Sequence, residues 1–203
     1  MYRGQILVIS GPSGSGKSTL INRLMSEQSG IYFSVSSTTR QIRDGEKEGV
    51  NYHYISKELF EEGIKEGSFL EWAIVHKNYY GTSRIPIEKA LKDAKTVIFD
   101  IDIQGFKAVK EKFKNEIVSI FITTKNKSEL ENRLIARATD DKENISRRIM
   151  NAVGEMEYIK EYDYLIVNDD FEEAYQIFES IFKSMKFKTI NLNLRDMIDN
   201  WID

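Results

Sequence analysis

The chain has 203 residues, which is enough for one substantial domain and marginal for two. Hydrophobic residues make up 41% and charged residues 30%, and the formal net charge is −3, so nothing indicates a general nucleic-acid binder. The absence of cysteine excludes disulfides, thiolate catalysis and cysteine-ligated zinc. The apolar run 6–9 is too short for a signal peptide or a membrane span, so we expect a cytoplasmic protein without a membrane partner.

Short apolar runs alternate with amphipathic segments along the chain. Residues 6–9 predict a buried strand, and residues 11–18 form a glycine-rich turn before a helix predicted over 19–26. Further strands are predicted over 33–36, 69–75, 96–101, 117–122 and 164–167, the last three of them buried. Further helices are predicted over 57–66, 86–92, 128–137 with Ser128 as N-cap, 145–158 and 171–185, with a turn over 79–83 and a charged loop over 138–144.

Strands that alternate with helices predict an α/β fold with a parallel sheet. The region 33–86 breaks this alternation, so we predict that it is an inserted lobe. At the other end of the chain, residues 186–203 form a predicted helical tail with an apolar stripe. The tail either docks on its own domain or makes a homodimer contact, and the sequence does not choose between them. The stripe consists of Leu192, Leu194, Met197, Ile198, Trp201 and Ile202.

Residues 11–18, GPSGSGKS, match the phosphate-loop pattern G-x-x-x-x-G-K-S/T without a mismatch. Glycines let successive backbone N–H groups curve around phosphate oxygens, and the following helix adds the positive end of its dipole. Lys17 would supply a full charge to the β- and γ-phosphates, and the Ser18 hydroxyl can ligate Mg²⁺. The motif predicts a bound nucleoside triphosphate but does not separate GTPase, ATPase and kinase. The predicted triphosphate-binding residues are Gly11, Pro12, Ser13, Gly14, Ser15, Gly16, Lys17, Ser18 and Thr19.

A second polar cluster follows the phosphate loop. Arg40 and Arg43 lie close in sequence to Tyr52, and guanidinium groups with nearby hydroxyls can bind a terminal phosphate by charge-assisted hydrogen bonds. Taken singly, these residues also have structural explanations, since Arg43 and Glu46 are spaced for a plain surface ion pair and tyrosines pack in many cores.

At this cluster the chain resembles the guanylate kinase family. Residues 38–54, TTRQIRDGEKEGVNYHY, follow the signature of that family position by position. The resemblance covers roughly residues 4–183, and several motifs in the right order make it far more specific than the phosphate loop alone. The other matching motifs are Glu71-Trp72 and the segments 78–81, 100–105 and 166–170.

The resemblance implies a P-loop NTPase fold with an inserted mixed lobe that binds the nucleoside monophosphate and a helical lid. The lobe would cover about 33–83 and the lid about 126–158, while the core would consist of about 1–32, 84–125 and 159–185. The implied reaction is Mg²⁺-dependent transfer of the γ-phosphoryl group of ATP to GMP, and also to dGMP, giving ADP and GDP. Neither nucleic acid nor a membrane is an expected partner.

The resemblance also implies roles for individual residues. The GMP phosphate would be held by Arg40, Arg43, Tyr52 and Tyr80. Guanine would be recognised by Ser36, Glu71 and Thr82, with Asp100 or Asp102 nearby, and Asn168 would lie near the adenine of ATP. The full predicted GMP-binding set is Ser36, Arg40, Arg43, Glu46, Tyr52, Glu71, Tyr80, Thr82, Asp100 and Asp102.

The chemistry of guanine supports this set. Guanine presents N1–H and N2–H₂ as donors and O6 as an acceptor, so the Glu71 carboxylate suits the donors and a hydroxyl of Ser36 or Thr82 suits O6. Adenine presents the opposite polarity and would leave buried groups unpaired, which discriminates by orders of magnitude. Position 82 is usually serine in the family, and we expect little change because threonine keeps the hydroxyl.

Two carboxylates lie at the carboxyl end of the strand predicted over 96–101. The carboxyl ends of parallel strands face the ligand crevice in open α/β sheets, so Asp100 and Asp102 are expected at the site. We expect Asp100 to act as the outer-sphere magnesium partner, in the manner of a Walker-B acid. The alternative is an acidic turn without a ligand.

Arginines in the predicted lid complete the expected catalytic set. Arg133 and Arg137 share a helix face, and Arg148 follows the charged loop. By resemblance, these arginines would close over the triphosphate, stabilise the transferring phosphoryl group and exclude water. The alternative is a solvated basic face paired with Glu129 and Glu131. The expected catalytic residues are Lys17, Arg43, Arg133, Arg137 and Arg148.

The sequence departs from the family pattern at Ala136 and Ala138, where glycines are usual. Because alanine favours helix, we expect a longer or stiffer lid helix that slows closure or product release. Two rival functions remain. One is a kinase-like binding module that has lost catalysis, which the intact phosphate loop argues against. The other is a kinase for AMP or dTMP, which Glu71 argues against.

Overall fold

The computed structural model describes residues 4–43, 45–75, 77–136, 142–192 and 194–202. The strands in these ranges are β1 (Gln5–Ser10), β2 (Ile31–Phe33), β3 (Ser37–Thr38), β4 (His53–Tyr54), β5 (Phe69–Val75), β6 (Asn78–Ser83), β7 (Thr96–Asp100), β8 (Ile117–Thr123) and β9 (Tyr164–Val167). The α-helices are α1 (Lys17–Glu27), α2 (Lys57–Lys65), α3 (Arg84–Lys92), α4 (Ile103–Phe113), α5 (Lys127–Ala136), α6 (Lys142–Met156), α7 (Phe171–Met185) and α8 (Leu194–Ile202).

The larger sheet is parallel throughout and has the order β2-β7-β1-β8-β9. Every residue of the central strand β1 is buried. Leu7 and Ile9 belong to the apolar layer that includes α1 and α7, whereas Ile6 and Val8 belong to the layer that includes α3 and α4. Apolar contact on both faces explains why this strand is a continuous apolar run and not an alternating one.

A second, mixed sheet has the order β4-β3-β6-β5 and lies within the segment that breaks the strand–helix alternation. Strand β3 is parallel to β4 and antiparallel to β6, which is antiparallel to β5. Helix α2 is attached to this sheet by Phe60, whose ring stacks on Phe69 at 4.2 Å and on Tyr79 at 5.0 Å between centroids. The predicted fold class, a parallel sheet flanked by helices with an additional mixed unit, is confirmed.

Three local predictions were wrong. Residues 79–83 form most of strand β6 instead of a turn, because they pair with β5 on one side and β3 on the other. Strand β2 ends at Phe33, so the predicted strand over 33–36 covers the connection from β2 to β3. Ser128 lies inside α5, and the side chain of Asn126 caps that helix by accepting a hydrogen bond from the Glu129 N–H at 2.9 Å.

The outer parts of the chain also differ from expectation. Strand β9 has the predicted bounds, but it is an edge strand in which Tyr164, Leu165 and Val167 are exposed. Helix α6 begins at Lys142, within the segment predicted as a charged loop. Tail residues 194–202 form the predicted helix α8, and Trp201 is 85% exposed. None of the helices in the described ranges is long and apolar enough to cross a membrane.

The residue before β9, Asp163, is held by side-chain hydrogen bonds to strand β8. Asp163 accepts hydrogen bonds from both the N–H and the hydroxyl of Ser119 in β8, each at 2.8 Å, and the Asp163 N–H donates back to that hydroxyl at 3.0 Å. Ser119 is buried. The pair therefore joins the start of the edge strand β9 to its neighbour β8.

Replacing Asp163 with alanine should lower the free energy of unfolding by about 1–2 kcal/mol, because two donors on buried Ser119 lose their acceptor. Urea unfolding followed by circular dichroism measures this. Asp163→Asn, which keeps an oxygen acceptor, should recover most of the difference. Equal stability of Asp163→Ala and the unmodified chain would contradict the proposed role of this contact.

Candidate active site

The phosphate loop, residues 11–18, connects β1 to α1 and depends on its glycines. Gly11, Gly14 and Gly16 have φ angles of 137°, 96° and 94°, which side-chain-bearing residues rarely adopt. A Cβ on Gly11 would lie 2.0 Å from the carbonyl oxygen of Ile122 in β8. Lys17 Nζ donates to the carbonyl oxygens of Gly11 at 2.6 Å and Pro12 at 3.1 Å. The lysine ammonium is thus held over the mouth of the loop.

Asp100 and Asp102 have different environments at the end of β7. Asp102 Oδ1 accepts a hydrogen bond from the N–H of Gly105 at 2.8 Å and caps helix α4. Burial raises the pKa of Asp100, and the nearby Lys17 ammonium partly opposes this shift. Asp100 also lines a cavity of about 320 Å³ together with Ser18 of the phosphate loop. Asp100 is therefore the carboxylate that faces the phosphate loop. Asp102, in contrast, uses one of its oxygens to cap helix α4.

A neighbouring cavity of about 480 Å³ lies between the mixed sheet and helix α4. Six predicted site residues line it, and Ser36, Tyr52 and Asp100 also line the cavity beside the loop, so the two cavities adjoin. Trp72 and Gln104 line it too, although the sequence analysis assigned them no role. The six predicted residues are Ser36, Tyr52, Glu71, Tyr80, Asp100 and Asp102.

Glu71 and Thr82 form a hydrogen-bonded pair across strands β5 and β6. The Thr82 hydroxyl donates to Glu71 Oε1, and Thr82 is buried. Burial raises the pKa of Glu71, while the hydrogen bond from Thr82 favours the ionised form. The hydroxyl of Thr82 thus orients the Glu71 carboxylate. The sequence had suggested a direct contact between Thr82 and guanine.

Glu46 is the centre of a charged cluster beside this cavity. Its carboxylate accepts from Arg40 at 2.7 Å, from the Tyr54 hydroxyl at 2.7 Å and from the backbone N–H of Arg43 at 2.9 Å. The Arg40 guanidinium also lies 5.5 Å from the centre of the Tyr52 ring. Glu46 therefore pairs with Arg40, and the simple ion pair between Arg43 and Glu46 is not the contact that forms. The Arg43 side chain is exposed.

The hydrogen bonds from Arg40, from the Arg43 N–H and from Tyr54 lower the pKa of Glu46 from its ordinary value of 4.5 to about 2. Because the pKa of Glu46 is lower in the folded state, its ionised form stabilises the fold at pH values above the pKa of the unfolded chain. This stabilisation is lost as the pH falls through the pKa of the folded state.

We expect Glu46→Gln to be less stable than the unmodified chain above about pH 5, by an amount that stays constant up to pH 7. The difference should shrink between about pH 4.5 and pH 2, as Glu46 takes up its proton. Urea unfolding across this pH range measures it. A difference that persists unchanged at pH 2 would show that charge on Glu46 is not its cause.

Helices α5 and α6 pack on each other through Leu130, Leu134, Ile149 and Ala152. Arg133 Nε donates to Glu129 at 2.8 Å, and its Nη2 donates to the carbonyl oxygen of Asn168 at 2.8 Å. Arg133 therefore forms the ion pair with Glu129 that the alternative interpretation predicted. It also contacts the residue that follows β9. Arg148 Nη1 lies 3.4 Å from the Ser13 hydroxyl of the phosphate loop. Arg137 and Ala138 lie outside the described residues.

A further carboxylate at the site was missed in the sequence. Glu155 lies two helical turns after Arg148, on the same face of α6. Burial raises the pKa of Glu155, and its charge interacts with those of Lys17 and Asp102. The spacing between Arg148 and Glu155 is the signal that could have found it, since Arg148 was already assigned to the loop side of its helix.

The chain was compared with known proteins. A family model described as guanylate kinase matches residues 3–185. Over 200 residues the chain is 50% identical to the guanylate kinase of Campylobacter jejuni (strain RM1221), covering 98% of each chain. Over 199 residues it is 51% identical to that of Wolinella succinogenes, covering 98% of this chain and 93% of the relative.

The chain belongs to the guanylate kinase family.

A solved structure of the guanylate kinase family, the enzyme from Anaplasma phagocytophilum, matches the fold with a TM-score of 0.79 at 33% identity, covering 98% of this chain and 96% of that one. Membership confirms the family inferred from the motifs and makes the chain an enzyme, a nucleoside monophosphate kinase. The rival interpretation as a binding module without catalysis is therefore excluded. The match to the guanylate kinase family model ends before the predicted tail, 186–203.

Proposed function

We propose that the protein transfers the γ-phosphoryl group of ATP to GMP, and also to dGMP, giving ADP and GDP. The observation that carries this proposal is the pair of adjoining cavities, one beside the phosphate loop and one lined by Glu71 and Tyr80, with Asp100 in the wall of both. A triphosphate bound by the phosphate loop would reach Ser18 and Asp100, beside the acceptor cavity, so the phosphates of donor and acceptor would lie side by side, as direct transfer requires. We expect this reaction to take place in the cytoplasm.

The acceptor cavity suits guanine. Glu71 Oε1 is engaged by Thr82, so Oε2 is the oxygen we assign to the N1–H and N2–H₂ donors of the base. We assign guanine O6 to the hydroxyl of Ser36, which lines the same cavity. Adenine would meet Glu71 with an acceptor at N1, leaving Oε2 of this half-buried carboxylate without a donor, which a protein site tolerates poorly.

The acceptor phosphate is assigned to Arg40, Arg43, Tyr52 and Tyr80. Arg40 is fixed in place by Glu46, so little side-chain entropy is lost when it binds a phosphate. The rings of Tyr52 and Tyr80 pack edge to face with their centroids 5.7 Å apart, and both residues line the acceptor cavity. Glu46, predicted as a direct ligand, is instead assigned the task of orienting Arg40.

Phosphoryl transfer is assigned to positioning and charge stabilisation. Lys17 would exchange its carbonyl contacts for oxygens of the β- and γ-phosphates, because an anion is a stronger partner than a neutral carbonyl. Arg148, already beside Ser13, would reach the same phosphates. Arg133 would have to leave Glu129 to join them, and Arg137 is assigned to the same group by resemblance.

The residues at the loop fit a magnesium ion. Mg²⁺ takes most of its ligands from substrate phosphates and water, so a single hydroxyl and one nearby carboxylate are enough from the protein. Ser18 would ligate the ion directly and buried Asp100 through water. When bound, Mg²⁺ would neutralise charge on the transferring phosphates.

We assign the mixed sheet and α2, within about 33–83, to GMP binding and helices α5 and α6, within about 126–158, to the lid. The parallel sheet with its remaining helices is the core, and residues 186–203 are a separate tail. Leu130 and Leu134 of α5 lie beside Gly14 of the phosphate loop, where a Cβ on that glycine would be 3.3 Å or less from each side chain. This supports the lid assignment, because it places α5 next to the triphosphate site.

The proposed reaction is tested by coupling ADP formation to GMP, dGMP, AMP, dTMP and CMP in turn. Magnesium-dependent turnover with GMP and dGMP alone is expected. Lys17→Ala should abolish turnover yet bind GMP with nearly unchanged affinity in calorimetry, since Lys17 is assigned to ATP. Lys89→Ala, on the exposed face of α3, is the matched control. Absence of turnover with GMP, or an equal rate with AMP, contradicts the proposal.

Guanine selectivity should depend on Glu71. We expect Glu71→Gln to lower kcat/KM for GMP on the order of 100-fold, because a charged hydrogen bond to guanine is lost, and to change the trace rate with AMP little. Thr82→Ser should behave like the unmodified enzyme, while Thr82→Val, which removes the orienting hydroxyl, should lose part of the selectivity. Equal losses for GMP and AMP would argue against base recognition by Glu71.

A further inference from the structure

Asn168 joins three parts of the molecule at the end of β9. It is only 4% exposed, and its side-chain Nδ2 donates to the carbonyl oxygen of Ser15 in the phosphate loop at 2.8 Å. Its backbone N–H donates to the carbonyl oxygen of Thr123 at 2.8 Å, and its own carbonyl accepts from Arg133 in α5. The residue therefore connects the sheet, the phosphate loop and a helix of the proposed lid.

The loop is shaped to admit this amide. A Cβ on Gly16 would lie 2.1 Å from Asn168 Nδ2, so any other residue at position 16 would displace the amide from Ser15. Gly16 thus serves two requirements, since its φ of 94° also suits only glycine. The close fit on both sides indicates that the contact is a built part of the loop.

The contact fixes the orientation of one peptide group. A phosphate loop binds its ligand by pointing successive backbone N–H groups inward, which turns some carbonyls outward. The carbonyl of Ser15 and the N–H of Gly16 belong to the same peptide and point in opposite directions, because that peptide is planar and trans. A donor that holds the Ser15 carbonyl on one side therefore holds the Gly16 N–H on the other.

We propose that Asn168 is a positioning residue that holds the Ser15–Gly16 peptide in the orientation that binds polyphosphate. The inference rests on the proposed function, because it concerns the same triphosphate site, but it replaces the expected contact with adenine. Without the amide, the buried Ser15 carbonyl lacks its donor, and the peptide can turn over. The contact with Arg133 uses the backbone of Asn168, so side-chain variants leave it in place.

The test is calorimetric titration of the full chain with two probes in the presence of Mg²⁺. One probe is ATP and the other is inorganic tripolyphosphate, which carries the phosphates without a base. Asn168→Asp replaces the donor by an acceptor of the same shape, and Asn168→Ala removes the donor without adding charge. Both variants should lower the affinities for ATP and for tripolyphosphate by the same factor, at least about 10-fold, and should leave the affinity for GMP unchanged.

Asp169→Asn is the matched control, because Asp169 is the exposed next residue and pairs with Lys125. It should bind both probes like the unmodified chain. A loss confined to ATP would show that Asn168 contacts the base, and unchanged binding of both probes would show that the amide has no role. Loss of GMP binding in both variants would show a general effect on the fold. Each of these three results overturns the inference.

The unmodified chain separates this inference from the proposed function. If it binds neither ATP nor tripolyphosphate, the proposed function fails and the inference fails with it. If it binds both probes and turns over GMP, while the variants bind both probes equally well, then only the assignment of Asn168 fails.

Discussion

The parallel pairing of β1 with β7 on one side and β8 on the other determines where the groups at the carboxyl edge of the larger sheet lie. Parallel strands end at the same edge of a sheet, so the phosphate loop after β1, Asp100 at the end of β7 and Asn168 after β9 meet although they are far apart in sequence. The apolar layers on both faces fix this register. The positions of the polar groups at this edge therefore depend on the packing of the buried strands that end there.

Carboxylates of similar chemistry meet opposite environments around the proposed site. Glu46 lies among donors, and its pKa falls to about 2, whereas burial raises the pKa of Glu71 and of Asp100. The difference is one of partners and not of residue type. Glu46 keeps its charge to hold Arg40, while Glu71 and Asp100 are left with oxygens that suit an incoming donor or cation.

Much of the fold could be predicted from the sequence where a single pattern decided the structure. The bounds of β5, β9 and α7 are as predicted, since apolar periodicity and clear end signals mark them. Strand β6 was missed because Tyr79 and Gly81 look like turn residues until their pairing partners are known. The separate tasks of Asp100 and Asp102, and the dependence of Glu71 on Thr82, could not be read from spacing, because they depend on which neighbour supplies a hydrogen bond.

The wall between the two cavities has a thermodynamic consequence. Because Ser36, Tyr52 and Asp100 line both cavities, the two proposed substrates would share part of their surroundings. If occupation of one cavity restricts these shared side chains, the two binding equilibria are coupled in free energy. The apparent affinity for each nucleotide then depends on the concentration of the other, and this dependence acts equally in both directions.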